Sequence, residues 1–380
     1  MLDTPFLEES HRKLAGRAED FARRRVREEF AGEDERHARG LTEALAQGGL
    51  LDYTTGDPGG SSQRLDVRAL CVIRERLSYE SGLADLMFAM QGLGSFPITL
   101  AGSGELKRRH LPPVRAGESI AAFAITEPDA GSDVSAIKTS ARRDGGDYVL
   151  NGEKTLISNA GLADFYTVFA KTDPEGGHKG ISAFVVEKNA PGFFVREKLE
   201  LIAPHPIGRL AFEDCRVPAS SLIGSEGEGF RIAMSTLDTF RPTVGAAAAG
   251  LAWRALDEAL SYAKRRVQFG RPIAEFQATQ MKLAEMSTEM DAARLLIYRA
   301  AWKRDTQEGR FSLESAMAKL YATEAAQRII DSAVQIHGGT GVLRGSTVEK
   351  LYREVRALRI YEGTSEIQKL VIAAQLLKGL

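Results

Sequence analysis

The chain changes texture twice along its length, and this limits the folds open to it. Residues 1–118 carry apolar side chains at helical spacing, as in Leu14, Ala18, Phe21 and Ala22. Leu41, Leu45, Leu50 and Leu51 suggest a further helix that ends in the Gly48–Gly49 region. From about residue 119 the runs become β-branched and aromatic, as in 165–170 and 181–186, bounded by Gly, Asn, Asp and Pro. Asp144-Gly-Gly-Asp147 before Tyr148 predicts a hairpin turn, and the strand-rich block closes near 224–229. Helical stripes then return: Ala255, Leu256, Ala259, Leu260 and Ala263, followed by Met317, Leu320, Tyr321, Ala325 and Ile329. Segments 275–308 and 313–336, separated by 309–312, predict a helical hairpin within a terminal bundle.

A length of 380 residues allows two or three domains with a large core, and 43% hydrophobic content suits a soluble globular protein. A formal net charge of −1 argues against broad attraction to nucleic acid or an anionic membrane. Cys71 and Cys215 form neither a disulfide framework nor a zinc spacing, so no metal is expected and a reducing, cytoplasmic setting is. Cys215 reads as a buried cysteine rather than a nucleophile. The charged N-terminal region has no apolar signal core. The most apolar stretch, Val244 to Trp253, is about half the length of a membrane span, so no membrane insertion is expected.

Several segments carry candidate chemistry. Residues 358–368 place Glu362 before Gly363, where a ligand can approach the backbone closely. Ser365 and Gln368 have capping-box spacing, which predicts a helix start and an anion site beside the carboxylate. Alone, this segment equally fits a capped surface helix. In 124–133, Thr126 and Ser132 flank the turn Pro128-Asp-Ala-Gly131, suited to a polar ring edge, to a phosphate or to solvent. Ser158 adds a hydroxyl in 154–159. Arg266 and Phe269, three apart on an expected helical face, suit a phosphate and an adenine ring, or a surface arginine and a core phenylalanine. The glycines after Gln335 resemble a dinucleotide fingerprint, but they follow a helical stripe rather than a strand, which excludes a Rossmann motif.

In order and near-family spacing, Ile125-Thr-Glu-Pro-Asp-Ala-Gly-Ser-Asp133, Arg266-x-x-Phe-Gly270, Gln335-x-x-Gly-Gly339 and Ile360-Tyr-Glu-Gly-Thr-Ser-Glu366 resemble the acyl-CoA dehydrogenase flavoprotein family over essentially the whole chain. The resemblance implies a mainly helical α+β fold: an N-terminal helical domain (1–118), a middle antiparallel β-barrel-like domain (119–224) and a C-terminal four-helix bundle (225–380). It implies FAD as cofactor and an acyl-CoA thioester as substrate. Glu362 matches the base that removes the α-proton, while the β-hydrogen leaves as hydride to flavin N5 and a trans-2-enoyl-CoA forms. The backbone N–H of Glu362 and a ribityl hydroxyl would form an oxyanion site. Phe123, Ile125, Thr126, Gly131, Ser132, Ile157 and Ser158 match the flavin's surroundings. Arg266, Phe269, Gln277, Gln335, Gly338 and Gly339 match positions that hold FAD from a neighbouring subunit, and Thr364 and Glu366 return to their own subunit's flavin. Ser132, Asp238, Arg241, Tyr361 and Gly363 match the substrate side. A homotetramer and an electron-transfer flavoprotein as acceptor are the family's pattern.

Phe240 stands where some members carry the base, which leaves Glu362 as the motif-matched base. Leu156 stands where many members have a tryptophan near the flavin, and His205, between two prolines, reads as a solvated loop histidine near the substrate entrance. The alternatives are an acyl-CoA oxidase or other oxygen-using flavoenzyme of the same fold, and a catalytically silent scaffold or binding protein.

Overall fold

The computed structural model of the protein describes residues 4–30, 35–56, 65–307 and 309–378; the other positions within the expected 1–118 and 225–380 segments lie outside the described residues. In chain order, helices α1 (Glu9–Phe21), α2 (Ala38–Gln47), α3 (Val67–Glu80), α4 (Gly82–Ala101) and α5 (Gly104–Arg115) come first. Strands β1 (Ala121–Ala124), β2 (Ser140–Asp144), β3 (Asp147–Ser158), β4 (Phe165–Lys171), β5 (Ile181–Glu187), β6 (Phe193–Leu199), β7 (Ile207–Pro218) and β8 (Leu222–Ile223) follow. Helix α6 (Gly229–Arg265) leads to β9 (Val267–Gln268) and β10 (Arg271–Pro272). Helices α7 (Gln277–Thr306), α8 (Ser312–His337), α9 (Thr347–Leu358) and α10 (Ser365–Leu377) complete the order. The chain divides into two compact units: Met1–Ala31, Val67–Asp85 and Asp238–Leu380 form one, Gly32–Asp66 and Leu86–Leu237 the other.

The second unit is built on an eight-stranded sheet in the order β6-β7-β3-β2-β4-β5-β8, with β1 added on β4. Most pairs are antiparallel, but β1 runs parallel to β4, with Ala121 opposite Phe165, so the expected antiparallel domain is a mixed sheet. Asp144 pairs with Asp147, and the two glycines between them make the tight turn that their sequence announced. β4 and β5 are almost wholly buried runs, which explains why they read as continuous apolar stretches rather than alternating ones. Gln91 of α4 donates to the Ser119 carbonyl at 2.8 Å and accepts from the Ala121 amide at 2.9 Å. A Cβ on Gly94 would lie 2.8 Å from the Ala121 Cβ, so this helix presses backbone-close onto β1 and fixes the start of the 123–133 segment. The 20-residue helix Gly82–Ala101 is long and apolar enough to cross a membrane, but 89% of its most apolar window is buried inside the fold.

The first unit is helical apart from the short β9–β10 hairpin. α7 and α8 form the expected hairpin, at 277–306 and 312–337. Of the predicted stripe on α8, Ala325 and Ile329 are buried whereas Met317, Leu320 and Tyr321 are half-buried, and the covered face extends to Ala318, Ala322, Ala326 and Ile330. Small residues allow close helix approach, and at Gly250 of α6 any Cβ would collide with Ser78 and the Glu75 carbonyl of α3. Glu75 is wholly buried and accepts from Arg294 (2.9 Å) and Tyr298 (2.7 Å), so its charge is paired rather than orphaned.

His110 of α5 is buried against Phe165, with ring centroids 4.9 Å apart. Burial first, and the Arg109 charge second, push its imidazole down from 6.5 to about 4. The unfolded chain therefore binds a proton that the fold refuses, and stability present above pH 6.5 is lost as pH falls toward 4. His110→Phe, which keeps the ring contact, should show a shallower loss of thermal midpoint across that window in calorimetry.

Candidate functional site

The structure concentrates buried charge around one loop of the first unit. After α9 the chain turns: the Ile360 amide donates to the Ala357 carbonyl at 2.9 Å, and the Ser365 amide to the Arg359 carbonyl at 3.1 Å. Inside the turn, Glu362 and Gly363 both take positive φ, 53° and 94°. For glutamate that conformation costs about 1–3 kcal/mol and has to be imposed by its surroundings. Three side chains impose it. Lys319 Nζ donates to the Gly363 carbonyl at 2.7 Å and Arg241 Nε to the Glu362 carbonyl at 3.3 Å. Gln368 Nε2 donates to both carbonyls, at 3.3 and 2.9 Å.

The predicted capping box is therefore displaced by one residue. Thr364 is the N-cap of α10 and accepts from the Ile367 amide at 3.3 Å. Ser365 instead donates to Glu324 at 2.5 Å, and Gln368 serves the loop carbonyls rather than the N-cap amide. Spacing alone identified a helix start; the tertiary partners of Ser365 and Gln368 decided which residue caps it.

The Glu362 side chain is partly reachable, yet its Oε2 is fully covered and bonds no described residue. Burial raises its pKa, against the downward pull of Arg74, Lys319 and Arg241. Lys319 is itself wholly buried and pushed down to about 8, mainly by desolvation. Arg74 is held by Asp85 through 2.8 and 2.7 Å bonds and donates to Thr243 at 2.9 Å, with Tyr361 among the groups it faces. Asp238 and Arg241 bond each other at 2.6 Å, and Ser312 donates to Asp238 at 2.5 Å. The geometry thus provides one covered carboxylate with an unused oxygen, surrounded by fixed cations. Such a group can take or give a proton.

A second set of predicted residues in this unit takes a different form from the one expected. Helix α6 ends at Arg265, so Arg266 and Phe269 do not share a helical face. Residues 267–272 are a β-hairpin with Phe269 and Gly270 as its two-residue loop, both at positive φ (53° and 79°), as a type I′ turn demands. The turn drives the phenyl ring outward, 93% exposed. Arg266 is exposed too, and its side chain bonds no described residue. Phe269, Phe276, Thr279, Lys282 and Gln335 line a surface cleft of about 310 Å³. Gln277 is exposed at the first turn of α7. α8 ends at His337, as its stripe predicts, and the exposed Gly338 and Gly339 have open space where a Cβ would stand. Thr364 is half-buried and Glu366 exposed.

In the second unit the 125–133 segment is anchored by an ion pair invisible in the motif reading. Lys154 Nζ, wholly buried, donates to the Ile125 carbonyl at 3.1 Å and to Glu127 at 2.8 Å. Glu127 also accepts from the Lys138 and Thr139 amides, at 2.6 and 2.9 Å. Phe123 and Ile125 are buried, Thr126 is half-buried, and Gly131 and Ser132 are exposed. The Thr126 hydroxyl bonds no described residue. At the end of β3, Ile157 is buried, while Leu156 has φ 55° and is 54% exposed. His205 is not a solvated loop residue: its Nε2 lies 2.7 Å from the Ser158 hydroxyl, and burial pushes it down to about 4.

Comparison with known proteins is decisive. The chain matches the acyl-CoA dehydrogenase N-terminal domain over residues 8–118, the middle domain over 122–215 and the C-terminal domain over 227–377. The chain belongs to the acyl-CoA dehydrogenase family. It is an oxidoreductase with that family's fold. It is 42% identical over 380 residues to a 3-(aryl)acrylate reductase of Clostridium sporogenes, covering 98% of this chain and 100% of the relative. The butyryl-CoA dehydrogenase of Megasphaera elsdenii superposes with a TM-score of 0.90 at 34% identity, over 98% and 99% of the two chains. A chain described as electron transferring flavoprotein of Acidaminococcus fermentans gives a TM-score of 0.89 at 36% identity over the full length of both. One described as the FAD complex of PigA gives 0.89 at 32% identity, over 97% and 98%.

Sequence reasoning missed Lys319, Arg74 and the role of Gln368. The available signal was a lysine on the buried face of α8, four residues after Ser315 and four before Thr323, where a solvated cation would not stand. Lys319→Met removes a cation that favours ionised Glu362, so the pKa of Glu362 rises further. Any pH profile that depends on ionised Glu362 should move to higher pH; a profile that stays in place would contradict the assigned coupling.

Proposed function

We propose that this protein removes hydrogen across the Cα–Cβ bond of an acyl-CoA thioester, with Glu362 as the proton acceptor and FAD as cofactor. The observation that carries this reading is the covered, unpartnered Oε2 of Glu362 in a loop clamped by Lys319, Arg241 and Gln368. The α-carbon is a weak acid, so its base must be desolvated and fixed within reach of the proton. The Glu362 carboxylate takes the α-proton as the Cα–Cβ double bond forms. Its backbone N–H donates to the thioester oxygen while charge develops there. FAD supplies the acceptor at N5 for the β-hydrogen and its electron pair.

The residues present fit that cofactor. Thr126 offers a hydroxyl without a described partner beside the anchored Glu127–Lys154 pair, and Gly131 lies open next to Ser132. Phe123, Ile125 and Ile157 supply apolar surface and Ser158 a further hydroxyl. The exposed Phe269, the free Arg266 guanidinium, Gln277, Gln335 and the open Gly338 and Gly339 suit a flat aromatic and a pyrophosphate presented by a neighbouring subunit. An aromatic ring 93% in water has a reason to be there if another copy brings it a ligand. Thr364 and Glu366 serve the flavin of their own subunit, and Asp238, Arg241, Tyr361, Gly363 and Ser132 the acyl-CoA side. The assembly is a homotetramer working in the cytoplasm, and an electron-transfer flavoprotein accepts the electrons. Likeness to the chain described under that name supports such a partner.

Dehydrogenation and its reverse use the same atoms. A carboxyl that accepts the α-proton in one direction returns it to the α-carbon of an enoyl thioester in the other. Likeness to the 3-(aryl)acrylate reductase supports this second reading, in which the acyl group carries an aromatic ring.

Anaerobic titration of the purified holoprotein with straight, branched, cyclic and aryl acyl-CoA thioesters tests the proposal. Bleaching of the flavin band by one class is expected; a bound flavin that none of them bleaches would sink it, and oxygen uptake during turnover would indicate an oxidase. Glu362→Gln should retain FAD and lose at least about 10²–10⁴-fold in the rate of bleaching. Phe269→Ala should keep its unfolding free energy within about 0.5 kcal/mol, since an exposed ring packs on little, yet retain FAD less well on gel filtration.

A further inference from the structure

Ser158 and His205 are the one hydroxyl–imidazole pair among the proposed flavin-side residues, and nothing in the reaction described above uses it. The imidazole is placed rather than loose. Pro204 and Pro206 stiffen the backbone on either side, and the His205 amide donates to Glu35 at 2.9 Å. The Pro206 carbonyl accepts from the Asn159 amide at 2.7 Å, which ties the loop to the residue following Ser158. Nδ1 bonds no described residue, so Nε2 is the ring's one fixed contact. No charged side chain contributes to holding the ring neutral; burial does so. Glu35, which accepts from the backbone amide of His205, is a titratable side chain bonded to this loop segment.

A neutral imidazole can meet a hydroxyl in two ways. With the proton on Nε2, His205 donates to Ser158 Oγ and the serine O–H is free to donate outward. With Nε2 bare, the serine O–H points at His205 and Oγ accepts from outside. Oxidised flavin presents acceptors along its ring edge. After two-electron reduction, N5 carries a hydrogen and becomes a donor. A hydroxyl at that edge must reverse its role, and on reversal its own hydrogen needs an acceptor.

We propose that His205 is a positioning residue for Ser158, supplying the acceptor or donor that lets its hydroxyl match the flavin edge in both redox states. This rests on the flavin placement proposed above. A buried donor without a partner costs more than an under-used lone pair. Loss of the imidazole therefore penalises the reduced form, in which Ser158 O–H has lost its acceptor, more than the oxidised form.

The test is the midpoint potential of the FAD-loaded protein, read by anaerobic spectroelectrochemistry in wild type, His205→Phe, His205→Gln and Ser158→Ala, and in Ser158→Ala combined with His205→Phe. His205→Phe should weaken reduced relative to oxidised FAD binding up to about tenfold, a fall in potential of up to about 30 mV for two electrons. Gln, which both donates and accepts, should restore the wild-type value. In the Ser158→Ala background, His205→Phe should produce no further change.

A merely structural loop role would weaken both redox states of FAD equally and leave the potential in place. That outcome, or a Phe shift that persists without the serine, overturns the proposal. If neither Ser158→Ala nor His205→Phe moves the potential or the flavin spectrum, the placement of Ser158 at the ring is wrong, and the pairing fails with it. Activity need not be measured for any of these outcomes, so a failed base assignment at Glu362 would be recognised separately.

Discussion

The clamp on the carbonyls of Glu362 and Gly363 is the contact on which the first unit's chemistry depends. Left to itself, a glutamate avoids positive φ, and a buried lysine sheds its proton or finds a partner. Here the two problems are solved together: Lys319, wholly covered on α8, spends its bond on the Gly363 carbonyl, and that bond holds Glu362 in its unfavourable conformation. Gln368 and Arg241 add bonds from α10 and α6, so three helices converge on two carbonyls. Bonds from charged donors contribute about 1.5–3 kcal/mol each, enough together to offset the backbone strain. The carboxylate is left among Arg74, Lys319 and Arg241, with Asp85 opposing them and with no described hydrogen-bond partner for its covered Oε2.

The second unit solves a similar problem with different residues. A polar loop at 125–133 has to stand still at the end of a buried strand, and a buried ion pair does the work of holding it. Lys154 reaches from β3 to the Ile125 carbonyl and Glu127, and Glu127 collects two further amides. Removing either partner would leave a buried charge uncompensated, which typically costs 3–5 kcal/mol. The Thr126 hydroxyl, between Ile125 and Glu127, is thereby carried on a rigid support rather than on a mobile turn.

How much of this was legible along the chain varies by residue. The hairpin turn at 145–146, the helical hairpin of α7 and α8, and the rejection of a nucleotide fingerprint after Gln335 all depend on contacts within a few residues, and local pattern was sufficient. The segment around Phe269 went the other way. Its Arg-x-x-Phe spacing fits a helix face, but Gly270 permits a type I′ turn, and α6 had already ended one residue earlier. The parallel pairing of β1 with β4 was out of reach because it joins residues more than forty positions apart.

The sequence by itself determined the family and the order of helical and strand-rich segments, because these are carried by residue types at short, fixed spacings. Only the tertiary structure decided that Thr364 rather than Ser365 caps α10, that Lys319 holds the Glu362 loop, that Lys154 anchors the 125–133 turn, and that His205 turns inward to Ser158. The physical reason is common to all four. A buried polar side chain is tolerated wherever the fold brings it a partner, and that partner lies at a sequence distance set by packing, not by any local period.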